Sequence, residues 1–291
     1  MFDDRFELIS VDTPACRLSV RHGGEGAPLL LLHGYPQTHA MWHAVAPVLA
    51  DRFHVICPDL RGYGESEKPA TTPDHAPYSK RAMAADMVAL MRHFGYEQFA
   101  VAGHDRGARV THRLALDHPE RVTKACVIDI TPTLHMFDET DQHFASGYYH
   151  WFFLIQPDNL PETLIGHDPV WYLNEKLRRA SAPGFAFPDE VIDHYRRCFA
   201  NPDTVHASSE DYRAAASIDL EHDRASREAG ERVRCPLLVL WGERGFVHRT
   251  YKVPAVWSAY ADEVRCESLY TGHYVPEEDP TGTARALLEF F

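Results

Sequence analysis

Short, continuous apolar runs that end in polar or turn residues constrain the fold of this chain more than any other feature. Four of them lie in the first half of the chain: PLLLLHG (Pro28–Gly34), FHVICPD (Phe53–Asp59), FAVAGHD (Phe99–Asp105) and KACVIDI (Lys124–Ile130). Such runs are typical of parallel strands that are buried on both faces. Residues 78–95 lie between two of them, have apolar residues at helical spacing and end in Gly95, a suitable C-terminal cap. The alternation resumes after Arg234, so we predict an α/β fold with a mostly parallel, doubly wound sheet, preceded by a hairpin over residues 6–21.

Residues 133–217 interrupt this alternation. The stretch is rich in aromatic residues, proline and histidine and contains no clear strand, so we predict that it is mostly helical. Ligands of open α/β sheets bind at the carboxyl ends of the strands. We therefore expect a helical cap, inserted after the sixth strand and lying over those ends. Residues 1–132 and 218–291 would then form one core domain.

The sequence Gly-His-Asp-Arg-Gly at residues 103–107 has the layout of a nucleophile elbow, but with aspartate in the usual place of serine. Gly103 and Gly107 occupy the two positions at which a sharp turn from strand to helix leaves no room for a side chain. The dipole and free N–H groups of a helix N-terminus favour negative charge, so an ionised Asp105 suits this place. An ordinary helix cap is the other common use of such an aspartate.

Two further motifs predict the same architecture. HGYP (His33–Pro36) follows the third strand, where this type of fold supplies a second backbone N–H to an oxyanion hole. DLRGYGES (Asp59–Ser66) follows the fourth strand and resembles a structural turn found widely in α/β-hydrolases. The three motifs, in this order and at these separations, predict an α/β-hydrolase fold.

A catalytic base and its acidic partner are expected after later strands. His273, in YTGHYVPEE, follows the last strand, where this fold carries its histidine. Many α/β-hydrolases carry the acid in a W-G-x-x-D pattern after the seventh strand, but here Gly245 occupies that position and only Glu243 is nearby. Asp129, at the end of an apolar strand, would be costly to bury without a partner. We therefore predict that Asp129 pairs with His273, although a helix cap or turn aspartate is the other reading.

An aspartate nucleophile selects the class of reaction. A carboxylate that attacks an ester would form an anhydride, whereas attack on a saturated carbon forms an ordinary ester by displacing a halide or opening an epoxide. His273 would then activate water to hydrolyse that ester at Asp105, with Asp129 orienting the imidazole. The backbone N–H groups of Tyr35 and Arg106 are expected to form the oxyanion hole.

Arg106 and Arg109 lie three residues apart at the start of the predicted helix, so they can share one face. Two guanidinium groups beside the nucleophile can bind a carboxylate in bidentate fashion. A 2-haloacid carries its carboxylate one bond from the reacting carbon, so these arginines would both bind and orient it. Salt bridges to acidic residues are the alternative use of the two side chains.

The combination of GHDRGAR, the aspartate in CVIDI and the segment HYVPEE closely resembles the fluoroacetate dehalogenases, over nearly the whole chain. The resemblance implies the roles already given for Asp105, Asp129, His273, Arg106 and Arg109, and it implies a homodimer. It also implies a halide-binding set in the cap, here His150, Trp151 and Tyr212. Fluoride is strongly hydrated and a poor leaving group, so directed hydrogen bonds must replace its water shell. Without the resemblance, the aromatic residues around Trp151 would be read as a core cluster.

One position departs from that family. Its members often carry a further cap tryptophan just after a Lys-Leu pair, whereas here the segment reads EKLRRASAPGFAF with Ala180 at the expected place. A smaller residue would widen the pocket, which favours bulkier haloacids over fluoroacetate.

Three other functions share parts of this pattern. An epoxide hydrolase has the same aspartate elbow and uses two cap tyrosines, for which Tyr212 and either Tyr148 or Tyr149 could serve, but paired arginines have no evident use with a neutral epoxide. A haloalkane dehalogenase typically has tryptophan directly after the nucleophile, where this chain has Arg106. A non-catalytic receptor could retain the same constellation.

Composition bounds the remaining partners. The net charge is −13 and the chain has no basic run, which argues against nucleic acid. The longest apolar run is far too short for a membrane span, and six scattered cysteines without a C-x-x-C pair favour a reducing cytoplasm. No cofactor or metal is indicated: His39 and His43 could bind a metal from one helix, but a solvated face is the expected place for them. The expected partner is a small haloacid.

Overall fold

The computed structural model describes residues 1–291 and has an eight-stranded sheet at its centre. The strands β1 to β8 span Phe6–Asp12, Arg17–Gly23, Ala27–Leu32, Phe53–Pro58, Phe99–His104, Val122–Ile128, Leu237–Gly242 and Val264–Leu269. Their order in the sheet is β1-β2-β4-β3-β5-β6-β7-β8. The two pairs that involve β2 are antiparallel and all the others are parallel. The predicted fold class is confirmed.

Helices cover both faces of the sheet and form the segment between β6 and β7. The helices α1 to α15 span Ala46–Leu49, Lys80–His93, Arg106–Asp117, Thr133–Asp138, Gln142–Gly147, His150–Phe153, Leu160–Gly166, Pro169–Ala180, Asp189–Phe199, Pro202–Ala215, Ile218–Glu228, Phe246–Thr250, Val253–Ser258, Val275–Glu278 and Pro280–Phe290. None of them combines the length and the apolar character that crossing a membrane would require.

The central strands are buried because helices pack on both sides of them. Val101 in β5, Cys126 in β6 and Val239 in β7 have no solvent exposure, which is why these strands read as continuous apolar runs. The helix predicted over residues 78–95 is α2, which begins after an N-cap by Ser79 and is followed by Gly95 with φ +82°. Local signals therefore set the ends of this element.

Eight helices, α4 to α11, occupy the segment between β6 and β7 that contains no strand, and the first seven of them lie within residues 133–217. We propose that residues 133–217 are the predicted cap. Side chains of this segment reach the rest of the chain: the Tyr195 hydroxyl donates to Glu277 at 2.8 Å, and Asp211 binds Arg106. The parallel strands all point their carboxyl ends to the same edge of the sheet, which brings the loops after β5, β6, β7 and β8 together.

The expectation for His39 was wrong. It does not lie on a solvated face but is 2% exposed, and its Nδ1 lies 2.8 Å from the Asp59 carboxylate. The side chain completes the DLRGYGES turn from the neighbouring loop, a contact between distant segments that helical spacing cannot reveal. His43 is half-buried and contacts the carbonyl oxygen of Ala40.

Candidate active site

Asp105 lies at the sharp turn between β5 and α3. Its backbone has φ +47° and ψ −112°, a strained conformation of the kind found at nucleophile elbows. A Cβ atom on Gly103 would lie 2.3 Å from the carbonyl oxygen of Gly107, and one on Gly107 would lie 2.4 Å from that of His33. Both distances are far below van der Waals contact, so this turn requires the two glycines.

The Asp105 carboxylate is ionised and partly held by backbone. The Tyr35 N–H donates to its Oδ1 at 2.9 Å, whereas no hydrogen bond joins the Arg106 N–H to it. Burial opposes ionisation, but the charges of His273, Arg106 and Arg109 outweigh it and hold the pKa of Asp105 below its usual value. A buried carboxylate that stays charged at neutral pH is what a nucleophile of this type requires.

His273 lies between two carboxylates. Its Nδ1 lies 2.6 Å from Asp129 Oδ2, and its Nε2 lies 3.8 Å from Asp105 Oδ2. The second oxygen of Asp129 accepts a hydrogen bond from the Gly242 N–H at 3.0 Å. The contact with Asp129 fixes the imidazole ring, which leaves Nε2 facing the nucleophile and able to take a proton from water.

The place of the missing seventh-strand acid is occupied by the carboxylate of Asp129. A Cβ atom on Gly245 would lie 3.4 Å from Asp129 Oδ1, so the two strand ends converge on the same space. Glu243 is exposed and accepts a hydrogen bond from Ser268 instead. The end of β6 therefore supplies to His273 the acid that many α/β-hydrolases carry after β7.

His104, inside the elbow motif, was missed as a residue of the site. Its Nε2 lies 2.8 Å from the carbonyl oxygen of His273. Burial, followed by the charge of His273, lowers the pKa of His104 to about 3, so its ring is neutral and donates this hydrogen bond. Because His104 precedes the nucleophile, it ties the loop of the base directly to the elbow.

The two predicted arginines lie deeply buried beside the elbow, and neither lines the cavity that Asp105 and His273 border. Arg106 stacks over the ring of Tyr212 at 4.1 Å, and Arg109 over that of Trp151 at 4.7 Å. Arg109 donates to the carbonyl oxygen of Thr131 at 3.1 Å and to the Thr133 hydroxyl at 2.9 Å. One N–H group of each remains buried without a protein partner, namely Arg106 Nη1 and Arg109 Nε.

Asp211 is the main partner of Arg106, and sequence reasoning missed it. Its two carboxylate oxygens accept from Arg106 Nε at 2.9 Å and Nη2 at 2.6 Å. The Lys80 ammonium and the Tyr63 hydroxyl also bind this carboxylate. The cluster holds α10 against the core next to the nucleophile, so Asp211 positions both Arg106 and the adjacent Tyr212. Its position directly before Tyr212 was the only available signal.

The three predicted halide-binding side chains come together. The rings of His150 and Tyr212 are 5.7 Å apart, and those of Trp151 and Tyr212 are 6.2 Å apart. None of their side-chain donors makes a hydrogen bond within the protein, and none is among the fully enclosed atoms that lack a partner. Burial, reinforced by the charge of Lys176, holds the pKa of His150 well below its usual value. Burial likewise raises the pKa of Tyr212, so both side chains are neutral donors.

A cavity of about 450 Å³ opens beside this group and is lined by 18 residues. Asp105, His273, His150 and Tyr212 lie on its walls, whereas Trp151 does not. Ala180 also lines it, on the same face of α8 as Lys176. Pockets of about 300–1,000 Å³ commonly hold small-molecule ligands, so the cavity exceeds the needs of a two-carbon acid.

The fold and this constellation define a hydrolase, and the chain belongs to the α/β-hydrolase fold family, which matches residues 27–279. It is 45% identical over 286 residues to a fluoroacetate dehalogenase from Burkholderia sp., covering 98% of this chain and 93% of the relative. The predicted resemblance is therefore confirmed, as is the prediction that the chain is a hydrolytic enzyme.

Other relatives mark the breadth of the family. The chain is 33% identical to a soluble epoxide hydrolase from Corynebacterium sp. (strain C12), over 92% of this chain and 91% of that one. It also superposes on a crystal structure of a protein from Nostoc sp. PCC 7120 with a TM-score of 0.96 and 55% identity, covering 98% and 97% of the two chains.

Proposed function

We propose that this enzyme hydrolyses the carbon–halogen bond of short 2-haloacids and releases the 2-hydroxyacid. The observation that carries the proposal is the pair of unpartnered N–H groups on Arg106 and Arg109. Buried charged donors without a partner are rare. Neither group lines the cavity, so a substrate carboxylate would bind inward of the cavity wall, beside Asp105, to satisfy both. A neutral epoxide or haloalkane would leave them unpaired.

In the first step, one oxygen of Asp105 attacks the carbon that bears the halogen. The new C–O bond forms as the carbon–halogen bond breaks, the halide leaves with the bonding electron pair, and the carbon is inverted. His150, Trp151 and Tyr212 would donate hydrogen bonds to the departing halide. Because all three are uncharged, they can stabilise the halide without forming an ion pair with the Asp105 carboxylate.

In the second step, water adds to the Asp105 carboxyl carbon of the alkyl-enzyme ester. His273 takes the proton of that water through Nε2, and Asp129 stabilises the resulting imidazolium. The oxyanion that forms on Asp105 accepts from the Tyr35 N–H, and we expect the Arg106 N–H, which does not bind the resting carboxylate, to donate to it as well. Collapse breaks the bond between the ester oxygen and the carboxyl carbon, and His273 returns its proton to the departing hydroxyacid.

The direct test measures halide released from fluoroacetate, chloroacetate and bromoacetate. Asp105→Asn is expected to lower halide release by about 10⁴-fold or more, whereas Asp51→Asn, at an exposed position paired with Arg5, should retain wild-type rates. A single turnover in heavy-oxygen water should leave the label in Asp105 and give unlabelled hydroxyacid. Label in the first product would mean that water attacks the substrate directly and would exclude Asp105 as nucleophile.

Epoxide hydrolysis is the second candidate, and one observation favours it. Tyr148 lines the cavity together with Tyr212, so two phenols could protonate an opening epoxide oxygen. Burial raises the pKa of both hydroxyls. Diol formation from styrene oxide without halide release from any haloacid would select this function over the first.

We also propose that the enzyme works in the cytoplasm as a homodimer. All six cysteines are unpaired, which suits a reducing compartment. The dimer follows from the resemblance to fluoroacetate dehalogenases, and sedimentation velocity measures it directly.

A further inference from the structure

The outer part of the active-site cavity is strongly basic, although the chain as a whole is acidic. The net charge is −13, yet Asp105 is the only acidic side chain among the 18 residues that line the cavity. Four cationic side chains line it as well: Lys176, Arg179, Arg244 and Arg249. A surface of random composition in this chain would place more acids than bases there.

Most of these cations lack an acidic partner. Arg179 lies 3.6 Å from Glu175, whereas no carboxylate lies within salt-bridge distance of Lys176, Arg244 or Arg249. Arg249 donates to the carbonyl oxygen of Arg244 at 2.8 Å, which holds the Arg249 side chain against the backbone of Arg244. The cations come from two separate elements, α8 and the segment after β7, so their convergence on one cavity is a product of the fold.

Among the four cations, Lys176 is the one that interacts electrostatically with both His150 and Asp105. It is half-buried, and the same face of α8 carries Tyr172 four residues before it and Ala180 four residues after it. Its charge contributes to the lowered pKa of His150. Burial lowers the pKa of Lys176 to about 8, against the opposing effect of Asp105, so at neutral pH the amine is mostly an ammonium.

The cavity has room for a group at that ammonium. A haloacetate needs only the nucleophile, the two arginines and the halide donors, which leaves most of the 450 Å³ empty. Ala180 adds to this space next to Lys176. A partly desolvated ammonium without a counter-ion binds a carboxylate more strongly than an exposed one does.

We propose that Lys176, supported by Arg244 and Arg249, binds a second carboxylate of the substrate, so that short 2-halodicarboxylates are the preferred substrates. The inference rests on the proposed dehalogenase function and narrows it. Arg106 and Arg109 bind the carboxylate next to the reacting carbon, and the outer cations bind the distal one. The reaction itself is unchanged: Asp105 displaces the halide and water returns the hydroxyacid.

The test compares 2-chlorosuccinate with 2-chlorobutanoate, which have the same four-carbon chain and differ in the distal carboxylate. Chloride release, corrected for the rate without enzyme, should give a kcat/KM about 10- to 100-fold higher for the dicarboxylate, as a charge-assisted contact implies. Lys176→Met, which keeps the length but removes the charge, should bring this ratio close to one, mainly through KM. Lys176→Arg should restore part of it.

Arg178→Gln is the matched control, because Arg178 lies on the same helix, is exposed and pairs with Glu175. Its substrate ratio should equal that of the wild type. A wild-type ratio of one or less, or a Lys176→Met variant that keeps the wild-type ratio, would overturn the inference and leave the dehalogenase function standing. Absence of chloride release from both acids and from chloroacetate would overturn the dehalogenase function, and the inference with it.

Discussion

At the scale of single residues, the site is a set of charges whose partners are only partly supplied by the protein. Arg106 is neutralised by Asp211 on one edge, whereas the acceptors of Arg109 are all neutral, namely two oxygens and the sulfur of Met136. Burial and the charge of Arg106 both lower the pKa of Arg109, against the opposing charge of Asp105, and no carboxylate is among its hydrogen-bond partners. Arg109 therefore has more to gain from a substrate carboxylate than Arg106 has.

Replacing Arg109 by leucine should therefore impair catalysis more than folding. A charged hydrogen bond contributes about 1.5–3 kcal/mol, so kcat/KM for chloroacetate should fall by about 10- to 100-fold. Steady-state chloride release measures this loss, and thermal unfolding checks that the variant folds. Arg227→Leu, at an exposed position, is the control. A variant with wild-type kcat/KM would assign Arg109 a structural role.

Asp211 offers a complementary test of positioning. Removing one partner of a buried ion pair typically costs about 3–5 kcal/mol, so Asp211→Asn should lower the free energy of unfolding measured with urea. Because Asn keeps the shape but not the charge, the freed Arg106 would bind the substrate carboxylate in another orientation. We expect kcat to fall by a larger factor than KM rises. If kcat and KM change by equal factors and the free energy of unfolding stays at the wild-type value, Asp211 has no positioning role.

At the scale of elements, helix α8 determines how much space the substrate has. Lys176 and Ala180 of this helix line the cavity, four residues apart and therefore on one side of the helix. The C-terminal end of α8 also holds the loop of the base, since the His273 N–H donates to the Ala180 carbonyl oxygen at 2.9 Å. A single helix therefore shapes the pocket and supports the base.

Ala180→Trp should narrow the cavity without moving the base, because the contact with His273 is made by backbone. The ratio of kcat/KM for 2-bromobutanoate to that for bromoacetate should fall by about tenfold or more, since added bulk in a packed pocket costs about 1–3 kcal/mol. Halide release from both acids measures the ratio. Arg178→Trp, on the exposed face of the same helix, should leave the kcat/KM ratio unchanged. If both variants have the same ratio, Ala180 does not determine which substrates the pocket accepts.

At the scale of the whole molecule, local sequence signals predicted the helices and strands but could not predict contacts between segments that are distant in sequence. An apolar run predicted each central strand. The five-residue elbow motif predicted the two glycines, because the steric constraint on them arises within that motif. Asp211 and His39 were missed or misplaced because their partners, Arg106 and Asp59, are distant in sequence. Only the folded arrangement brings such charges together, and a polar residue in a helix reads as exposed until its partner is known.

Another long-range contact joins the proposed cap to the core and carries a pH dependence. Glu277, buried at 6% exposure, accepts hydrogen bonds from Tyr195 of α9 and from Gln37 in the loop after β3. Burial outweighs these bonds and raises the pKa of Glu277 well above 4.5. At pH values between the ordinary pKa of glutamate in the unfolded chain and the raised pKa in the folded protein, the folded state holds a proton on Glu277 that the unfolded state has lost. This group therefore makes the free energy of unfolding fall as pH rises.

Glu277→Gln removes that titration and keeps the size of the side chain. As pH rises from the usual value for glutamate towards the raised pKa of Glu277, the wild type should lose up to about 1.4 kcal/mol of unfolding free energy per pH unit, a loss that the variant should not show. Urea unfolding at several pH values measures the difference, which should shift in favour of the variant as pH rises. Glu228→Gln, at an exposed position without a salt bridge, should follow the wild type throughout. If the Glu277→Gln curve also runs parallel to the wild type, Glu277 is ionised in the folded protein, and Tyr195 and Gln37 then supply enough hydrogen bonding to hold a charge between cap and core.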